Sequence, residues 1–194
     1  IVSKEGVYLA GNGFWYPHVG PGLLEYDVEV AQPEGWHVVS AGNGTSRDAK
    51  GAARWESHGA IDEITLVGGP VVVYRDSAGA VETLVYLRQK DDALASKYLQ
   101  ATAQYVEMYR GLVGPYPYGK VALVENFWET GYGMPTFTLL GPQVIRFPFI
   151  INSSYPHEIL HNWWGNSVFV DYATGNWCEG LTAYMADHLI QEQR

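Results

Sequence analysis

The chain has 194 residues, enough to bury a sizeable core in one large domain or two small ones. Its hydrophobic fraction of 47% and charged fraction of 17% belong to a folded globular protein and exclude a disordered one. A net charge of −9 with no Lys/Arg cluster argues against nucleic acid as a partner, and the single Cys178 excludes an intrachain disulfide.

Residues 1 to about 90 read as β. Leu24-Glu25-Tyr26-Asp27-Val28-Glu29-Val30 alternates apolar and charged residues, the period-two pattern of a half-buried strand. Similar runs lie at Trp36 to Val39, Ile61 to Val67, Val71 to Tyr74 and Val81 to Leu87. Turn clusters at Gln32-Pro33-Glu34-Gly35, Ala41-Gly42-Asn43-Gly44 and Asp76-Ser77-Ala78-Gly79 separate them. Short strands at this spacing predict an antiparallel sheet or sandwich.

The character changes at Asp91-Asp92. From there to Leu112 the apolar positions Leu94, Tyr98, Ala101, Tyr105, Met108 and Leu112 recur at steps of three and four, which predicts an amphipathic helix with Asp91 or Asp92 as N-cap. Gly114-Pro115-Tyr116-Pro117-Tyr118-Gly119 ends it, and Val121-Ala122-Leu123-Val124 reads as a buried strand. Gly131 to Leu140 is a glycine-bearing extended segment whose Pro135 cannot donate a ladder hydrogen bond. That predicts an edge or a bulge, where a peptide can be added as one more strand. The plainer reading is a surface hairpin.

The stretch with the most chemistry follows: His157-Glu158-Ile159-Leu160-His161, then seventeen residues, then Glu179. Pro156 suits a first helical turn, and on a helix positions i and i+4 share a face, so both imidazoles can address one ion with Glu158 beside it. A second helix is expected from near Trp177, carrying Glu179, with Leu181, Tyr184, Met185 and Leu189 on its apolar face. Two His and one Glu match the three protein ligands of an open, catalytic zinc site, with Glu158 as the base acting on a zinc-bound water. The competing readings are a closed structural site with Cys178 as fourth ligand, and histidines that only pack a core.

The runs His157-Glu158-Ile159-Leu160-His161-Asn162-Trp163-Trp164-Gly165-Asn166 and Trp177-Cys178-Glu179-Gly180-Leu181-Thr182-Ala183-Tyr184 resemble the zinc aminopeptidases of the membrane alanine aminopeptidase type, which are gluzincins. The resemblance is strong over 155–190 and looser from about residue 20. It implies an α+β fold: an antiparallel β-sheet or sandwich region, the end portion of an N-terminal domain (1–90), followed by the first part of a thermolysin-like zinc peptidase domain (91–194). It implies that His157, His161 and Glu179 bind zinc, that Glu158 is the general base, and that a peptide is the substrate. Asp171 stands where the family often has an acidic residue able to orient a ligand histidine.

Two departures stand out. The interval before Glu179 is one residue shorter than the family's. In addition, the family's Gly-x-Met-Glu-Asn segment, whose Glu grips the substrate's amino terminus, aligns with Tyr132-Gly133-Met134-Pro135-Thr136, so that carboxylate is replaced by Pro135. Gly133 and Met134 are then expected along the substrate, with Glu129 or Glu125 as the replacement anchor. The family's oxyanion-stabilising tyrosine lies well downstream of the third ligand, and Tyr184 is too close to Glu179 to supply it. The expected activity is zinc-dependent, aminopeptidase-like peptide hydrolysis, weak or absent in this stretch alone. The alternative is an inactive peptide-binding module.

No apolar run approaches the roughly 18–20 residues a membrane helix needs. Ile1-Val2-Ser3-Lys4-Glu5 is not a signal peptide, and both ends are abrupt, which predicts a piece of a longer chain. An upstream leader would favour an extracytoplasmic location, and its absence a cytoplasmic one. Oligomeric state is left open.

Overall fold

The seven residues Val81–Leu87 decide how the chain is layered. Leu84 and Tyr86 point to one face and Val85 and Leu87 to the other, and all four are buried, so the strand needs cover on both sides. The structure, a computed structural model, describes residues 1–18, 20, 22–57 and 59–192.

On the first side lie two small antiparallel sheets. They are built from β1 (Val7–Leu9), β2 (Asp27–Ala31), β3 (Trp36–Val39), β4 (Asn43–Thr45), β5 (Ala52–Glu56) and β6 (Leu66–Pro70). Their strand orders are β1-β6-β3 and β2-β5-β4. Val38, Val39, Trp55, Leu66 and Val67 from these sheets pack on Leu84 and Tyr86.

The central sheet comprises β7 (Val72–Ala78), β8 (Val81–Leu87), β9 (Lys120–Glu125), β10 (Gly131–Met134) and β11 (Phe137–Leu140), in the order β10-β11-β9-β8-β7. β8 runs parallel to β9, and β9 parallel to β11, with antiparallel partners at both margins. Strands up to residue 87 therefore share a sheet with strands beyond 120, and a division at residue 90 falls between β8 and the helix that covers it.

That helix, α1 (Asp92–Leu112), closes the second face of the sheet. Asp91 caps it, its side chain accepting from the Leu94 N–H at 3.0 Å. The buried face carries Ala95, Tyr98, Ala101, Thr102, Tyr105, Val106 and Tyr109, while Leu112, expected inward, is half exposed because the helix ends there.

Several strand expectations need correction. Leu24 makes only a single bridge to Ile61, and Tyr26 is held by side-chain bonding: its hydroxyl donates to the Ala41 carbonyl at 2.6 Å. β1 and β5 were not anticipated. Two segments expected as turns, at Ala41–Gly44 and Asp76–Ala78, contribute strand residues to β4 and β7. Gly42 sits at φ 80°, and a side chain there would collide with the Glu56 carbonyl, so glycine is what lets the β4 segment lie against β5.

One buried cation ties the layers together. Lys120 is 2% exposed, and its Nζ donates to the Ser40 carbonyl (2.8 Å), the Gly42 carbonyl (2.7 Å) and the Thr136 hydroxyl (2.6 Å). It also lies 4.3 Å from the Trp55 ring centre. Burial pushes its ammonium well below the ordinary lysine range, and the three acceptors and the ring offset that cost. Lys120→Met should orphan all three acceptors and destabilise the protein by about 2–4 kcal/mol. Thermal unfolding should then show a midpoint lower by roughly 5–15 °C; an unchanged midpoint would show that the ammonium is not the tie.

Candidate metal centre

Two 3₁₀ turns, Val144–Arg146 and Ile150–Asn152, lead into α2 (Ser154–Leu160). Tyr155, Ile159 and Leu160 are buried in the core under α1, which leaves His157 and Glu158 free to face the edge of the sheet. The helix is shorter than the motif it carries, but His161 follows in helical conformation and its N–H reaches the His157 carbonyl at 3.2 Å. The i, i+4 relation expected for the two histidines therefore holds. Ser153 does not cap the helix: its hydroxyl donates back to the Phe149 carbonyl at 2.9 Å.

Glu179 comes from α3 (Cys178–Ala183), which continues through a π turn (Tyr184–His188) into α4 (Leu189–Glu192). The buried stripe is Cys178, Thr182, Ala186 and Ile190. Leu181 and Tyr184, expected inward, are exposed, because the smaller residues are the ones turned toward the core.

His157, His161 and Glu179 converge. The two Nε2 atoms are 3.0 Å apart, His157 Nε2 lies 3.3 Å from Glu179 Oε2, and His161 Nε2 lies 3.5 Å from Glu179 Oε1. Donors on a tetrahedral zinc, at about 2.0–2.1 Å each, stand roughly 3.3 Å from one another, so the three atoms are already at ligand spacing. The tautomer agrees. His161 Nδ1 is 3.0 Å from the Trp164 carbonyl, which can only accept; Nδ1 therefore carries the proton and Nε2 presents its lone pair.

That carbonyl, and not Asp171, orients His161. Asp171 is exposed and accepts from the Ala173 N–H at 3.1 Å in its own turn. Cys178 does not complete a closed site either. Its Sγ lies 3.7 Å from Nδ1 of His161, on the side away from the converging atoms. Burial also pushes its thiol above the ordinary cysteine range.

Glu158 stands beside the triad, half-buried. Burial raises its carboxyl above the usual range, His161 and His157 oppose the rise, and Glu179 adds to it. The carboxylate lies against Gly133 of β10, where a Cβ would collide with Oε2. Gly133→Ala should displace the Glu158 carboxylate and leave the three donors in place. On the zinc-hydrolase expectation drawn from the sequence, the outcome is zinc content unchanged with turnover lowered at least tenfold; loss of zinc in this variant would mean that the triad itself depends on the contact.

The open cleft at this point has a volume of about 360 Å³. Gly131, Tyr132 and Gly133 line one wall, and because β10 ends the sheet, its outer edge has no strand partner among the described residues. Pro135 lies in the two-residue connection to β11 with Thr136 at φ 70°, and so in the turn of a hairpin and not on a strand edge; the edge of the sheet is formed by β10 itself. Thr136 is tied to the turn just after α2, its N–H donating to Asn162 Oδ1 at 2.7 Å.

Of the expected substrate residues, Gly133 lies in the cleft and Met134 lines a neighbouring cavity. Glu129 does not line the cleft. Its carboxylate accepts from the Gln143 N–H at 2.9 Å and secures a turn. Glu125 is buried, bound by Arg146 Nη1 at 2.6 Å and by the Arg88 N–H at 2.8 Å. Both carboxylates are thus satisfied within the protein. Besides Glu158 and Glu179, the acid that lines the cleft among the described residues is Asp62, together with Asn166 and Tyr172. Asp62 lies 95 residues before His157 (157 − 62 = 95), and nothing in its local sequence marks it.

No family model matches the sequence, and no curated protein matches it by sequence. Solved structures match in fold. Native yeast LTA4 hydrolase is 16% identical, with a TM-score of 0.65 over 89% of this chain and 28% of that one. A two-domain M1 zinc metallopeptidase variant bound to L-arginine is also 16% identical, with a TM-score of 0.69 over 94% of this chain and 44% of that one. The chain spans less than half the length of either. The shared feature is the mixed α+β architecture, in which a β-sandwich region leads into the start of a gluzincin peptidase fold.

Proposed function

We propose that this chain carries the zinc-binding part of a gluzincin metallopeptidase, related to the zinc aminopeptidases, and that the protein hydrolyses peptide bonds. The observation that carries this reading is the convergence of His157, His161 and Glu179 at 3.0–3.5 Å, with Glu158 beside them and an unpaired strand edge along the cleft. Residues 91–194 hold these side chains, with β7 and β8 completing their sheet.

Zinc held by the three donors would supply Lewis acidity, polarising a carbonyl and making a water acidic at neutral pH. The chain's own residues do the rest. The Trp164 carbonyl keeps His161 in the tautomer that offers Nε2. A peptide pairing with β10 would present its backbone to the cleft through main-chain hydrogen bonds, with Gly133 allowing close approach. Glu158 takes a proton from the attacking water and returns it to the departing amine; its half-buried carboxylate beside the triad is placed for both transfers.

The second reading, a peptide-binding module without turnover, is favoured by one observation. Pro135 replaces the amine-gripping carboxylate, and Glu125 and Glu129 are engaged elsewhere. The test is zinc analysis followed by assays with free-amine and N-blocked peptides. Stoichiometric zinc with cleavage supports the hydrolase, and the preferred peptide class names its specificity. Stoichiometric zinc with binding but no cleavage would support the module.

A further inference from the structure

A second cavity, of about 300 Å³, adjoins the metal cleft and shares Asp62, Gly133 and Asn166 with it. We propose that this cavity is a subsite for a cationic group of the substrate, an ammonium or a guanidinium, held by Asp62. The inference rests on the peptidase reading and names the chemistry of the substrate that the cleft would take.

Asp62 follows Ile61, which is pinned to Leu24 by two backbone hydrogen bonds of 2.8 and 2.9 Å, so its backbone is held at the junction of the two spaces. Its carboxylate has no hydrogen bond or ion pair among the described residues. The next residue, Glu63, is satisfied by contrast: it accepts from the Gly11 N–H at 3.0 Å and from the Thr65 hydroxyl at 3.0 Å, and it adds a second negative charge behind the first. Among the described residues no Lys or Arg lines either space. Asp62 keeps an exposed face at the mouth of the two spaces; partial loss of solvent, and then the charge of Glu63, raise its carboxyl above the ordinary range, and a cation brought to it opposes both.

The remaining walls suit the body of such a group. Met134, Pro135, Phe137 and Phe169 are apolar and can pack along a methylene stem, leaving the charged tip for the carboxylate. The cavity begins at Gly133, where a peptide along β10 would pass the triad. A cationic side chain near the scissile bond, or a free amino terminus, can therefore reach Asp62 from a backbone placed on that edge.

The experiment measures binding, by fluorescence anisotropy, of four otherwise identical short peptides to zinc-loaded Glu158→Gln protein, which binds without turnover. The peptides carry Arg or norleucine at the first position, each with a free or an acetylated amino terminus. At least one cation-bearing peptide should bind roughly 10–100-fold more tightly than acetyl-norleucine peptide. Adding Asp62→Asn should abolish that preference with the neutral peptide unchanged, and Asp62→Glu should keep part of it. Loss confined to free-amine peptides identifies the amino terminus as the cation, and loss confined to arginine peptides identifies the side chain.

Equal binding of all four peptides, no binding of any, or an Asp62→Asn effect equal for charged and neutral peptides would overturn the subsite. Zinc content measured on the same samples separates the two claims. Zinc retained without charge preference refutes the subsite alone, whereas charge preference without zinc refutes the metal reading alone.

Discussion

Glu158→Gln is expected to leave zinc bound and to lower peptide turnover by about 10²–10⁴-fold. The amide fills the same space against Gly133 and keeps a polar atom beside the triad, but it cannot accept a proton at the required moment. None of the three converging donors belongs to Glu158, so metal content should match the parent protein. The effect should fall on kcat far more than on KM, because the proton transfer belongs to the transition state and not to substrate binding. A variant that keeps more than a tenth of the parent's kcat with full zinc would show that another group accepts the proton.

His161→Ala is expected to have the largest effect on the metal. It removes one donor and breaks the link to the Trp164 carbonyl that fixes that donor's tautomer. Loss of an outer partner alone costs about 10–100-fold in metal affinity, and loss of the ligand should exceed that. Competition with a chromophoric chelator reads the change directly. Cys178→Ser is the matched control, since its sulfur faces Nδ1 and not the converging atoms; its zinc affinity should stay within about threefold of the parent's, well under the outer-partner cost. Retained affinity in His161→Ala with lost affinity in Cys178→Ser would reverse the assignment of the ligand set.

What could be read from the sequence was what depends on neighbours in the chain. The three-and-four periodicity of Tyr98, Ala101 and Tyr105, with Asp91 ahead of it, located α1, and the spacing of His157 and His161 placed two imidazoles on one face. Elements set by distant partners were not legible. β4 is a strand only because Gly42 and Gly44 let it lie against β5, and the same glycines read locally as a turn. The parallel pairing of β8 with β9 crosses α1, so no local pattern announces that residues 81–87 belong to the sheet that carries the site.

The candidate site divides in the same way. Its donors were named by residue type and interval, and a largely exposed segment between the histidines and α3 brings Glu179 back to them. The partner of His161 was missed because it is a backbone carbonyl, which no side-chain identity can signal. Asp62 was missed because only the packing of the first sheets against the central one brings it to the cleft.

The central claim, one zinc on His157, His161 and Glu179, is tested most directly by zinc K-edge X-ray absorption on the protein loaded with one equivalent of the metal. The predicted spectrum has only nitrogen and oxygen neighbours at about 2.0–2.1 Å, with multiple-scattering features from two imidazoles. A sulfur neighbour at about 2.3 Å, or features of fewer than two imidazoles, would contradict it.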